Sequence, residues 1–196
     1  MTMPLSIPLF LASSSPQRRM LLEQLGLHVT AQYAPNVDER RLPNEPLDAY
    51  VRRVTCLKAK AGRRHFNHGC IVAADTAMSC DGDVLGKPHN ADDAVSMLMR
   101  LSGRTHQVTT AVSVIGEQGA FDVSVATEVS FREIAYAEAV AYWHTGEPLG
   151  KAGSYALQGR GAQFVTCIVG SPSAVIGLPL AETALLLRQQ GLDPLA

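Results

Sequence analysis

The stretch that most limits the fold is the apolar run Leu5–Ala12 followed at once by Ser13-Ser14-Ser15-Pro16. An apolar run of that length suits a buried strand. Ser15 before Pro16 is an N-cap followed by a first helical position. Leu21, Leu22 and Leu25 then recur at helical spacing, and Gly26 is a stop signal. Strand, tight turn and helix in that order open an α/β domain.

The alternation continues. His28–Tyr33 reads as a second strand, and 36–46 as a loop rich in proline and charge. Leu47–Arg64 reads as a long helix with Val51, Val54, Leu57 and Ala61 on one face. Cys70–Ser79 is an apolar strand broken by one charge, Asp75, and Asp81-Gly82-Asp83 turns it back. Ala91–Leu101 is a helix. Gln107–Ile115 and Phe121–Phe131 form an antiparallel pair around Gly116–Gly119. Ala135–His144 is a helix, Gly150–Gly161 a glycine-rich loop, Gln163–Val169 a strand and Leu180–Gln190 a closing helix. Alternation followed by a hairpin predicts a mixed sheet with flanking helices.

The length, 196 residues, fits one domain, 1–196, or one domain with two lobes. A net charge of −1 with 6% aromatic residues gives no general pull toward nucleic acid or anionic membrane. No apolar run reaches the ~20 residues of a membrane span. The apolar start lacks a basic segment and a cleavage site, so it reads as strand rather than signal peptide. Cys56, Cys70, Cys80 and Cys167 are scattered and fit a reducing, cytoplasmic compartment.

Any anion site must therefore be built locally. The turn after the first strand offers free helix N–H groups, serine hydroxyls and the guanidinium forks of Arg18 and Arg19, though not a Walker A pattern. The structural alternative is a capped helix with solvated arginines. Asp75 is costly to bury unless paired, hydrogen-bonded or metal-bound. It could hold magnesium or activate water, or merely cap a turn. Lys58, Lys87 and Lys151 are each ordinary surface candidates, yet with Asp75 and the arginine turn they make a triphosphate clamp. Asp38 and Glu39 offer further carboxylates for metal. Gln158, in Lys151–Gly161, has the amide to read a base edge.

Taken together the segments resemble the Maf family of nucleoside triphosphate pyrophosphatases. The matching stretches are Leu11-Ala12-Ser13-Ser14-Ser15-Pro16-Gln17-Arg18-Arg19, Val37-Asp38-Glu39, Lys58-Ala59, Ala74-Asp75-Thr76 and Gly86-Lys87-Pro88. After them come Ser102-Gly103 with His106 and Thr109, Lys151-Ala152-Gly153-Ser154-Tyr155, Gln158-Gly159, and Gly177-Leu178-Pro179-Leu180. They lie in family order.

The resemblance implies a two-lobed α/β fold, with a mixed twisted sheet, a central cleft and often a homodimer. It implies divalent-metal-dependent (Mg or Mn) hydrolysis between the α- and β-phosphates. Asp75 matches the proposed proton acceptor, Arg18, Lys58 and Lys87 the phosphate-binding positions, and Ser13 lies in the same turn. Glu39 matches a second acidic position, so Asp75 and Glu39 are the expected metal ligands.

Base choice is linked to Gln17, Thr76 and Gln158. Thr76, Gln158 and the run Lys151–Gly159 are similar to the dTTP/UTP branch. Gln17 departs from it, and the Pro16–Arg19 spacing is closer to the 7-methyl-GTP branch. Gly150 and Leu57 stand where the family commonly has Asp and Glu. The expected function is hydrolysis of dTTP and UTP in nucleotide-pool cleaning. Its rivals are a modified-purine or 7-methyl-GTP pyrophosphatase and, in another class, a binding protein acting on septum formation.

Overall fold

The structure, a computed structural model, describes residues 7–196. The part of the expected first strand before residue 7 lies outside the described residues. The chain forms an α/β arrangement with a seven-stranded sheet in the order β2-β1-β3-β5-β6-β7, and β4 pairs off β3. The sheet is mixed, as expected, and helices flank it. Two compact units are built on it. The first runs through Asp75 and adds Ala111–Ser124 and Gly177–Ala196. The second comprises Thr76–Thr110 and Val125–Ile176.

In the first unit, β1 (Leu9–Leu11) lies between β2 (Val29–Gln32) and the start of β3 (Cys70–Cys80), parallel to both. Helices cover the faces of a parallel sheet, which is why Leu9-Phe10-Leu11-Ala12 is uniformly apolar and buried. Helix α1 (Pro16–Gln24) begins as expected: the Ser15 hydroxyl accepts from the Arg18 N–H, and Pro16 is the first helical residue. The chain then turns at Gly26 with a positive φ of 78°.

Helix α2 (Leu47–His65) carries Asp48 in its first turn and Arg63, Arg64 and His65 in its last, matching the helix dipole. Its buried face differs from the expected one. Leu57 is 36% exposed, and the buried residues are Val51, Val54, Thr55, Lys58, Ala59 and Gly62. The face is rotated because Lys58 turns inward to a carboxylate, a gain that outweighs burying Leu57. Gly62 sets the approach of α2: a Cβ there would stand 2.7 Å from Ala12 Cβ and 2.9 Å from Ile71 Cγ2. Phe10, Ala12, Ala59, Ile71 and Ala73 form the core beneath it. Helix α6 (Leu180–Gln189) ends beside the turn that joins β5 (Thr105–Gly116) to β6 (Gly119–Phe131). There the Gln190 amide donates to Gly119 O and accepts from Gln118 N.

In the second unit the far end of β3 pairs antiparallel with β4 (Asp83–Leu85). Asp81 and Gly82 both take positive φ, 51° and 84°, as a type I′ turn requires. Helices α3 (Ala91–Leu101) and α4 (Tyr136–Trp143) pack on a core that includes Leu98, Leu101, Val129, Phe131, Tyr142, Tyr155 and Phe164. Strand β7 (Val165–Val169) pairs antiparallel with β6 and starts two residues later than expected, because Gln163 and Phe164 close a 3₁₀ turn.

A short helix, α5 (Pro172–Ile176), was not anticipated. Its signal was present: Ser171 before Pro172 repeats the Ser-Pro start of α1, and the Ser171 hydroxyl accepts from Ala174 N. The glycine-rich segment is no loose loop, since Gly153, Ser154, Tyr155 and Ala156 are buried. Among the described residues no helix is long and apolar enough to cross a membrane.

Candidate functional site

Strand β1 ends at the serine turn, and its side chains fix one another. Ser13 Oγ accepts from Ser15 N at 3.2 Å and from Arg18 Nη1 at 3.1 Å. Two accepted hydrogen bonds fill its lone pairs, so what the hydroxyl has left to offer is its proton, a donor for an anionic oxygen. The Arg18 Nε donates to Gly177 O at 2.9 Å, tying the turn to the segment before α6. At the end of β2, Gln32 Nε2 donates to Ser13 O. Desolvation weighs against the Arg18 charge and lowers its pKa, opposed by the negative charges of Asp75 and Glu39. Ser15 donates to Gln17 Oε1 at 3.2 Å, so Gln17 stands at the mouth of the same turn.

About one turn before Gly62 on α2 is Lys58. Its ammonium lies 2.7 Å from Asp75 Oδ1 and 3.0 Å from Glu39 Oε1. Lys58 and Asp75 are nearly enclosed, while Glu39 is half exposed. The close approach allowed by Gly62 brings α2 onto β1 and β3, so a lysine on the helix meets the carboxylate on the strand. The expected set Ser13, Arg18, Lys58, Asp75 and Glu39 is thus gathered within the first unit. Two of its charges are negative and two positive. Among the described residues there is no group of three or more His, Cys, Asp or Glu suited to a metal. Two carboxylates that already converge on one cation do fit an ion that takes one or two protein carboxylates and completes its shell from phosphate oxygens and water, as Mg²⁺ does.

The remaining expected residues belong to the second unit. Thr76 Oγ1 is 2.9 Å from Thr110 Oγ1, and Thr110 donates to Ala174 O at 2.7 Å. Lys87 is exposed just after β4, and Gln158 is exposed in the glycine-rich segment. That segment is wrapped around one carboxylate. Glu147 accepts from Tyr142 OH at 2.5 Å and from the N–H groups of Arg160 and Gly161 at 2.9 Å each. Tyr142 OH also accepts from Ala156 N. Burial would raise the Glu147 pKa, but these donors outweigh it and the net shift is downward. A Cβ at Gly159 would meet Glu147 Oε2 at 2.4 Å, so a side chain there would push the carboxylate from its place.

The family model for Maf-like proteins matches residues 8–190. The chain belongs to the Maf family. A protein of Anaeromyxobacter dehalogenans named dTTP/UTP pyrophosphatase is 52% identical over 187 residues, 93% of this chain and 94% of that one. A protein of the same name from Acinetobacter baylyi is 45% identical, covering 91% and 97% of the two chains. Another from Vibrio vulnificus is 46% identical, covering 92% and 97%.

Within this Maf-like chain, sequence reading passed over three supports of the site. Tyr50 and Arg53 hold the loop that bears Glu39, and Glu147 holds the segment that bears Gln158. Tyr50 and Arg53 carry no motif. Their one signal is their place on the same helix as Lys58, eight and five residues upstream of it. For Glu147 there was no signal, because its partners at 142, 160 and 161 meet only in the fold.

Proposed function

We propose that this chain hydrolyses nucleoside triphosphates, dTTP and UTP foremost, between the α- and β-phosphates, releasing the monophosphate and pyrophosphate. The observation that carries this reading is the 45–52% identity, over more than nine-tenths of the chain, to proteins named dTTP/UTP pyrophosphatase. The geometry of Lys58, Asp75 and Glu39 supports a phosphate-handling role for the same chain.

In this reading Arg18, Lys58 and Lys87 stabilise charge on the phosphates, and the Ser13 hydroxyl donates to a phosphate oxygen. Asp75 and Glu39 would hold a divalent metal, Mg or Mn. The ion would supply charge neutralisation of the triphosphate. Asp75 Oδ1 is committed to Lys58, which leaves Oδ2 to orient or deprotonate the attacking water. Gln17, Thr76 and Gln158 select the base. The enzyme works in the cytoplasm as a single Maf-like domain and as a homodimer. The test is a nucleotide panel with Mg²⁺ or Mn²⁺, scoring pyrophosphate against orthophosphate. Pyrophosphate release from dTTP and UTP is expected; a strong purine preference, or orthophosphate as product, would overturn the reading.

A further inference from the structure

Glu39 sits on a stretch, 33–46, without helix or strand, yet its carboxylate is held 3.0 Å from a nearly enclosed ammonium. A charged side chain on an irregular loop meets a fixed partner only if the backbone beneath it is fixed too. Helix α2 supplies that fixing from two side chains. Tyr50 OH donates to the carbonyl of Glu39 itself at 3.0 Å. Arg53 Nη2 donates to the next carbonyl, Arg40 O, at 2.9 Å.

The Arg53 guanidinium is in turn locked. Its Nε and Nη2 grip the Glu45 carboxylate at 2.6 and 2.9 Å, a two-pronged ion pair whose acid is only 9% exposed. It also stacks over the Tyr50 ring at 5.8 Å. Glu45 Oε2 accepts from Leu42 N, and Arg41 folds back onto Glu45 O, so the lower half of the loop is cross-braced as well. Residues 50, 53 and 58 of one helix thus hold, in order, the backbone of residue 39, the backbone of residue 40 and the side chain of residue 39.

We propose that Tyr50 and Arg53 are positioning residues for catalysis: they clamp the backbone at Glu39 and Arg40 so that the Glu39 carboxylate stays beside Lys58 and Asp75 as substrate and metal arrive. The proposal rests on the role of Glu39 given under Proposed function. With the backbone anchored, Glu39 exchanges its Lys58 contact for a metal or substrate contact by side-chain rotation alone. Without the anchor it must also recover a lost loop conformation, which weakens metal use and slows turnover. Neither residue is assigned contact with the reacting atoms.

The cleanest variant is Tyr50→Phe, which keeps the ring under Arg53 and removes only the hydroxyl. Pyrophosphate release from dTTP is measured against Mg²⁺ concentration in the full chain. The expected result is a rise of about five- to tenfold in the Mg²⁺ concentration for half activity, with the melting temperature little changed. Paired with Glu39→Gln, the change should cost nothing further, since Tyr50 acts through Glu39. Arg53→Gln combined with Glu45→Gln, which leaves no carboxylate unpaired, should behave like Tyr50→Phe.

Unchanged Mg²⁺ dependence in Tyr50→Phe overturns the clamp. So does a Tyr50→Phe loss that multiplies with the Glu39→Gln loss. Full activity of Glu39→Gln alone overturns the role of Glu39 and the clamp with it. That failure is told apart from failure of the clamp alone, in which Glu39→Gln is impaired and Tyr50→Phe is not.

Discussion

The Lys58 ammonium and the Asp75 carboxylate sit 2.7 Å apart, with side chains only 10% and 11% exposed. A pair shielded to that degree is costly to break from one side, because the survivor is left as an uncompensated charge. Lys58→Met should lower stability by about 3 kcal/mol. Adding Asp75→Asn should restore more than half of that loss, since no naked carboxylate remains. Urea melts of the two variants check this. Losses that simply add would contradict it.

Asp75→Asn alone leaves Lys58 with Glu39 as a partner, so the chain should stay folded. Turnover should nevertheless fall by at least about a hundredfold, the usual weight of a positioned general base. Full activity in a folded Asp75→Asn variant would remove Asp75 from the chemistry.

Gly62→Ala sets two effects against each other. Helix propensity favours alanine by up to about 1 kcal/mol. The new Cβ would press on Ala12 Cβ, which is fixed to the backbone and cannot swing away. Overpacking of that kind costs about 1–3 kcal/mol, so a net loss is expected. Because α2 carries Lys58, activity should fall along with the melting temperature. A variant that melts higher than the parent would show that β1 yields more easily than its burial implies.

His106 is buried, its Nε2 is 2.8 Å from Tyr155 OH, and its Nδ1 has no hydrogen-bond partner among the described residues. Burial pushes its pKa down to about 4 from the ordinary 6.5. The folded state therefore keeps the ring neutral, while the unfolded chain takes up a proton first as pH falls. This contribution to stability is whole above about 6.5 and drains away between there and about 4, roughly 3 kcal/mol for one ring. His106→Phe should remove that part of the pH dependence, read from denaturant midpoints at pH 7 and pH 4. An equal fall in both proteins would exclude His106 as its source.

Glu147→Gln puts an amide among donors. One of its two arms must turn an N–H group toward the N–H of Arg160 or Gly161. A loss of about 2–3 kcal/mol is expected from the charge-assisted bonds given up. Since the segment carries Gln158, the ratio of dTTP to dCTP hydrolysis should fall more than the turnover of dTTP itself. Unchanged base selection with lowered stability would confine Glu147 to a structural role.

The elements of the fold were legible where signals are local. Ser15-Pro16 began α1, Asp81-Gly82 turned the hairpin, and α3 ran over the stretch its periodicity predicted. The error on α2 is of another kind. Periodicity counts Leu57 as core and Lys58 as surface, and the reverse holds because a carboxylate seventeen residues away calls the lysine inward. Pairings across such distances leave no mark in local pattern. Asp75, Arg18, the lysines and Glu39 stood out as candidates from local pattern, and the resemblance supplied their expected roles. Tyr50, Arg53 and Glu147 act through backbone atoms of distant residues, and no side-chain motif announces a bond to a carbonyl or an amide.

Because Lys58 already offsets the facing acids, the site carries its own counter-ion. Such a protein need not borrow a cation from its surroundings to fold or to persist. A chelator should stop its chemistry at once and leave its melting curve where it stood.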